Sequence, residues 1–103
     1  MTAEEWFDRI AARHLADAGV SEGTGFGVNA GLRVGGKIFA MLVRGELVVK
    51  LPADRVTALV EAGQGTRFDA GKGRPMREWA SVPPDAGADW DALADEARSF
   101  VRE

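Results

Sequence analysis

The sequence contains no cysteine and only one histidine, His14. The absence of cysteine excludes disulfide bonds, thiolate nucleophiles and cysteine-based zinc sites. A single histidine also argues against a histidine-rich metal cluster and against a Ser-His-Asp site. Because His14 falls on an apolar helix face, we interpret it as a histidine packed against the sheet, with a general base or metal ligand as the alternative. We therefore expect no enzyme activity, no cofactor and no bound metal.

Long hydrophobic runs are also missing. The longest uninterrupted apolar run, Ile38–Val43, is far shorter than the ~20 residues that a membrane-spanning helix needs. The N-terminal residues are acidic and lack the basic start and apolar core of a signal peptide. We therefore expect a cytoplasmic protein that makes no membrane contact.

The length of 103 residues suits one domain with a modest core and leaves no room for a second core. We expect a single domain over residues 1–103. Its charges are unevenly distributed: residues 1–22 carry a net charge of −3, residues 23–84 of +4, and residues 85–103 of −4. The segments predicted as terminal helices are thus acidic and the middle of the chain is basic. This asymmetry indicates a charged partner.

Three helices are predicted from caps and from apolar spacing. Thr2 and Glu5 form a capping box for the first helix. Pro52 opens the second at a favourable first position, and Asp89 caps the third. We expect Trp6 and the apolar stripes of these helices to lie in the core: Phe7, Ile10, Ala11, Leu15 and Ala18; then Val56, Leu59 and Val60; then Trp90, Leu93, Ala94, Ala97 and Val101.

The stretch Gly35–Leu51 is the most strand-like part of the chain. Ile38–Val43 contains no polar side chain, Gly45 and Glu46 supply a turn signal, and Leu47–Leu51 returns with alternating polarity. A strand that is apolar on both faces lies centrally in a sheet and is covered on each side by helix, loop or another subunit. We therefore predict a central hairpin. Contact with a second copy of the chain is one way in which an apolar face of this hairpin would be buried.

Shorter strands complete the predicted sheet. Leu32–Val34 precedes the hairpin, a short strand near Arg67–Asp69 follows the second helix, and Met76–Val82 alternates in polarity. We interpret Trp79 as a core residue under a helix, with a stacking platform as the alternative. The predicted order is α-β-β-β-α-β-β-α, an α+β fold in which a mostly antiparallel sheet of four or five strands packs with helices.

Two glycine-rich segments are candidate ligand loops. Gly25, Gly27 and Ala30 spell a G-x-G-x-x-A string, but it follows a helix and precedes a strand, the reverse of a dinucleotide-binding turn. We interpret it as a strand entry that needs glycine for its backbone angles. The segment Gly71–Arg74 has the composition to hold an anion through amides and two cations; its alternative is a solvated loop.

Several short motifs recur in a known family. They are Gly25-Phe26-Gly27, Gly31-Leu32-Arg33-Val34-x-Gly36-Lys37-x-Phe39-Ala40, Leu51-Pro52, Gly71-x-Gly73-Arg74-x-Met76-x-Glu78-Trp79 and Val82-Pro83. Over about residues 25–101 this pattern resembles the N-terminal domain of the TfoX/Sxy competence regulators, in its short stand-alone form, with Gly25 in place of the usual methionine. The resemblance implies an α+β fold related to the MmcQ/YjbR proteins, a regulatory setting, and a fold for which DNA binding has been suggested.

Three functional hypotheses follow. The first is a small non-enzymatic binding or regulatory domain that contacts a protein partner or a second copy of itself. The alternative is nucleic-acid binding through the basic sheet and the 67–77 loop. A ligand or catalytic site in the glycine-rich loops is the third, and it lacks grouped acid–base residues. The predicted nucleic-acid or anion contacts are Arg67, Lys72, Arg74, Arg77 and Trp79, with Arg33, Lys37, Arg44 and Lys50 as further phosphate contacts.

Overall fold

The predicted hairpin forms the centre of the fold. In a computed structural model, which describes residues 2–23, 30–69 and 73–102, Lys37–Val43 and Glu46–Lys50 pair as adjacent antiparallel strands. Arg44 and Gly45 connect them with φ angles of 52° and 77°. Two consecutive positive φ angles are typical of the type I′ turn, whose twist matches that of the strands it joins. Glu46, expected in the turn, instead begins the second strand.

The described residues form three helices and six strands, joined by turns and loops. The strands form one antiparallel sheet in the order β1-β2-β3-β4-β6-β5, so β3 and β4 are central. The α+β class and the order of the predicted elements are confirmed. The sheet also contains one strand that was not predicted, β1, because its three residues are too few to show an alternating pattern. The elements are α1 (Ala3–Leu15), β1 (Val20–Glu22), β2 (Ala30–Val34), β3 (Lys37–Val43), β4 (Glu46–Lys50), α2 (Ala53–Glu61), β5 (Thr66–Arg67), β6 (Trp79–Val82) and α3 (Trp90–Arg102).

All three helices pack on the same face of the sheet. Across the strands, Leu32 pairs with Ala40, Ala40 with Val49, and Val49 with Ala80, so these four fully buried residues share one face. They form a single core with the apolar stripes of the helices. The helical members of this core are Phe7, Ile10, Val56, Leu59, Trp90, Leu93, Ala94, Ala97 and Val101.

A β-bulge interrupts the alternation of side chains near the beginning of β3. Leu32 pairs with Ala40 while the next residue, Arg33, pairs with Ile38, so Phe39 is an extra residue in β3. Phe39 and Ala40 both belong to the core. Ile38 therefore lies beside Arg33 on the opposite face of the sheet.

The caps of α1 and α3 match their prediction. Pro52 lies at the N-cap of α2 rather than at its first helical position, and Trp6 is not placed as predicted. The Glu5 amide donates to Thr2 Oγ1 (3.1 Å) and the Thr2 amide donates to Glu5 Oε1 (2.9 Å), which is the predicted capping box. Trp90 is buried as expected, but Trp6 is 40% exposed and meets the Trp90 ring edge-on at 6.4 Å. The core prediction for Trp6 is wrong because Phe7 and Ile10 fill the face of α1 that meets the sheet. None of the helices in the described ranges is long and apolar enough to cross a membrane.

Candidate functional site

The sheet face opposite the helices is the candidate functional surface, and we call it the open face. Within the described ranges no helix packs on it. Met41 and Val48 form its buried centre and belong to no part of the main core. By strand register, Arg33, Ile38, Val43, Glu46, Lys50, Thr66, Trp79 and Ser81 also project from this face.

Cations concentrate at one end of the sheet, where Arg33 and Lys50 project from the open face and Lys37, opposite the core residue Val34, projects from the helical face. Because neighbouring strands are antiparallel, the ends of β2 and β4 meet the beginnings of β3 and β6 there. This juxtaposition groups Arg33, Lys37, Lys50 and Trp79, and we call these four residues the basic end. A cleft of about 510 Å³ is lined by all four together with Gly36, Ile38, Glu78, Phe100 and Val101.

A second cleft adjoins the first. It has a volume of about 530 Å³ and shares Lys50, Glu78 and Trp79 with its neighbour. Its remaining wall comes from the start of α2 and from the segment before β6: Ala53, Pro75, Met76 and Arg77. Both volumes fall in the range of ligand-binding pockets, roughly 300–1,000 Å³.

Arg33 and Lys50 are positioned by contacts within the chain. The Arg33 guanidinium donates to the carbonyl oxygens of Gly23 (2.9 Å) and Gly36 (3.2 Å), which holds it between two turns without neutralising it. Lys50 is opposite Trp79 in the sheet, and its Nζ lies 5.9 Å from the Trp79 ring centroid. This distance is within the range of a cation–π contact.

The cations of the helical layer are in a different electrostatic state from those of the basic end. Among the described residues, no carboxylate lies within ion-pair distance of Lys37, Lys50 or Arg77. In contrast, three arginines of the helical layer are paired: Arg13 with Asp91 (3.3 Å) and Asp95 (2.9 Å), Arg55 with Glu96 (2.9 Å), and Arg98 with Asp17 (2.7 Å).

The predicted contact residues are only partly brought together. Arg77 and Trp79 line the same cleft, and Arg74 is exposed nearby in sequence. Arg67 turns toward α2 and donates to Thr57 Oγ1 (2.9 Å), so it does not join the basic end. Lys72 lies outside the described residues.

Trp79 does not lie in the core, where the sequence analysis placed it. It is half-buried on the open face, away from the helices, so the interpretation as core under a helix is wrong. Its neighbours Ala80 and Val82 fill the core face instead. Since side chains alternate along a strand, Trp79 must project from the opposite side.

Sequence reasoning did not identify two members of the first cleft, Glu78 and Phe100. Phe100 is next to the apolar stripe of α3 and reaches the cleft only because α3 packs across β3 and β4. The proximity of Lys37 and Lys50 could be predicted from the sequence, because a hairpin centred on Arg44 and Gly45 brings the beginning of β3 near the end of β4.

His14 lies between the helical layer and the sheet. Its ring is buried against Phe39, with centroids 5.5 Å apart, and its Nδ1 lies 3.2 Å from Arg98 Nη1. The predicted packing against the sheet is therefore confirmed. In the part of the chain that the structure describes, no three histidine or acidic side chains are grouped as metal ligands.

Comparison with known proteins gives one match. The sequence model of the family described as YjbR matches residues 15–98, which covers β1 to β6 and most of α3. Neither the curated proteins nor the solved structures include a significant match.

Proposed function

The chain belongs to the YjbR family, and we propose that it is a non-enzymatic binding module whose basic end binds nucleic acid. The observation that carries this proposal is the set of cations around Trp79 that have no ion-pair partner among residues 2–23, 30–69 and 73–102. Among the described residues, Lys37, Lys50 and Arg77 have no carboxylate partner, whereas the charges of Arg13, Arg55 and Arg98 are compensated by carboxylates of the helical layer. Phosphate contacts supply most of the affinity in sequence-independent nucleic-acid binding.

The net charge of −3 does not oppose this function. The acidic side chains of α1 and α3 lie on the helical side of a molecule whose smallest dimension is 24 Å. At physiological ionic strength, exposed charges are screened over about 8 Å. Exposed carboxylates of the helical layer that lie farther than this from the basic end are therefore largely screened from a bound phosphate.

The absence of enzyme activity is part of the proposal. His14 is enclosed by α1, β3 and α3, and the two clefts of the basic end contain Glu78 as their one acid among the lining residues. Catalysis by proton transfer needs a positioned acid and base. Cations around an aromatic ring suit binding instead.

A salt titration with matched variants tests the proposal. Lys37→Ala/Lys50→Ala should weaken binding of a labelled 20-nucleotide DNA at low salt. It should also reduce the slope of log K against log salt by about 1.4–1.8, since each phosphate contact contributes about 0.7–0.9. Arg13→Ala/Arg55→Ala removes the same charge from the helical layer and should leave the slope unchanged. Equal weakening by both double variants, or no wild-type binding at low salt, would contradict the proposal.

A protein contact is the second candidate function, and the partly exposed apolar side chains of the open face favour it. Ile38 and Val43 project from this face and are partly exposed, whereas Met41 and Val48 are already buried within the chain. A second copy or a regulatory partner that covers Ile38 and Val43 would suit the TfoX-like motifs. Sedimentation velocity at high micromolar concentration tests the homodimer, and a monomer in both low and high salt would contradict it.

A further inference from the structure

We infer that the basic end binds single-stranded rather than duplex nucleic acid, with a base stacked on Trp79. This inference rests on the proposed function and specifies its ligand. Trp79 is half-buried and lines both clefts, so part of its side chain is open to a ligand in either cleft.

The position of Trp79 beside two clefts selects the form of the ligand. In a duplex the base faces are stacked on each other and only their edges reach the grooves. A base of a single strand can leave the stack and enter a cleft, where an aromatic ring replaces its lost neighbour. Trp79 in a cleft therefore meets the requirement of a single strand and not that of a duplex.

The residues around Trp79 provide the phosphate contacts that a single-strand site also needs. Lys50 lies against the ring, Lys37 and Arg33 line one cleft, and Arg77 lines the other. Cations thus occur on both sides of the stacking position, as a strand that passes across the ring requires. Aromatic platforms flanked by cations are the usual arrangement in single-strand binding.

Glu78 gives the clefts one negative charge. Its side chain is exposed, and it lines both clefts beside Trp79. A phosphate that passes over Trp79 would be repelled by this carboxylate. Glu78→Gln should therefore strengthen binding, which a passive structural role of Glu78 would not predict.

The primary experiment compares labelled oligo(dT), oligo(U) and a duplex of equal length by fluorescence anisotropy at 50 mM salt. Both single strands should bind more tightly than the duplex, because thymine and uracil each present a π-face. Trp79→Ala should weaken single-strand binding roughly 5- to 150-fold, the range for loss of one stacked base. Trp6→Ala removes an exposed tryptophan from the helical layer and should leave binding within twofold of wild type.

Intrinsic fluorescence keeps the test independent of any folding defect in Trp79→Ala. Unlabelled oligo(dT) should quench the fluorescence of the wild type and of Trp6→Phe. The same titration of Trp79→Phe should show little quenching while retaining most of the affinity, since phenylalanine still stacks.

The failures of the two proposals are distinguishable. Salt-dependent binding in which the duplex is bound as tightly as the single strand, with no effect of Trp79→Ala, would overturn the inference and leave the proposed function intact. No binding of any strand at 50 mM salt would overturn both.

Discussion

At the scale of single residues, His14 is the side chain most tightly constrained by its surroundings. Its ring is 2% exposed, its Nδ1 faces Arg98, and its Nε2 lies 3.3 Å from Asp95 Oδ1 without forming a hydrogen bond. Burial lowers the pKa of His14, and the positive charges of Arg13 and Arg98 lower it further, against the opposing effect of Asp95. The folded protein therefore holds His14 neutral.

This environment predicts a pH dependence of stability. The unfolded chain protonates His14 near its ordinary pKa of 6.5, and the folded chain does so only at lower pH. Stability is thus complete above pH 6.5 and is lost as the pH falls from there toward the folded pKa, by at most about 1.4 kcal/mol per pH unit for one proton. Urea unfolding between pH 8 and pH 5 measures this slope.

The matched variant for this test is His14→Asn. The amide oxygen of the substituted side chain can accept a hydrogen bond from Arg98 in place of the imidazole Nδ1, and the amide does not titrate. The difference in unfolding free energy between wild type and variant should narrow as the pH falls below 6.5. A difference that is constant from pH 8 to pH 5 would show that His14 has no depressed pKa.

At the scale of elements, the connection from α2 to β5 passes so close to the backbone of β6 that one of its positions has no room for a side chain. A Cβ added at Gly65 would lie 2.9 Å from the carbonyl oxygen of Ser81 and 3.2 Å from Val82 Cγ2. Ser81 belongs to β6, which pairs with β5 directly after Gly65. The glycine is therefore needed for proximity, because a side chain there would push β5 away from β6.

We predict that Gly65→Ala lowers the free energy of unfolding by about 1–3 kcal/mol, the usual cost of forcing extra volume into a packed site. The control is Gly19→Ala, since a Cβ at Gly19 has no atom within 4 Å. That variant should be as stable as wild type or slightly more stable, because alanine reduces the freedom of the unfolded chain. Thermal unfolding of the two variants in parallel measures this difference. A similar loss of stability in both would show that the close approach at Gly65 does not require glycine.

At the scale of the whole molecule, one core connects every helix to the sheet. Residues of α1, α2 and α3 all contribute to it, and α3 crosses the central strands β3 and β4. A single core of this size should unfold as one cooperative unit. The same arrangement places the acidic helices on one side of the sheet and leaves Arg33, Lys50 and Trp79 on the other.

We therefore expect coincident unfolding transitions by far-UV circular dichroism and by tryptophan fluorescence. Leu93→Ala, which leaves a cavity under α3, should shift both transitions together and cost about 2–5 kcal/mol. Separate midpoints for the two probes would indicate that the helical layer and the sheet unfold independently.

The sequence by itself determined the local elements of this protein. The capping box at Thr2, the α3 stripe from Trp90 to Val101 and the two strands of the hairpin are all present as predicted. Each depends on contacts between residues close in the chain, or on a period that local geometry imposes. The fold class followed from the order of these elements.

Only the tertiary structure decided which face of the sheet the helices cover. The alternation in β6 shows that Trp79 and Ala80 lie on opposite faces, but it does not say which face meets a helix. Packing of all three helices on the side of Ala80 left Trp79 on the open face. It also joined Lys37 and Lys50 to Arg33 and Phe100, residues whose proximity depends on strand order and on the path of α3. Such groupings arise from contacts between distant parts of the chain, which no local pattern encodes.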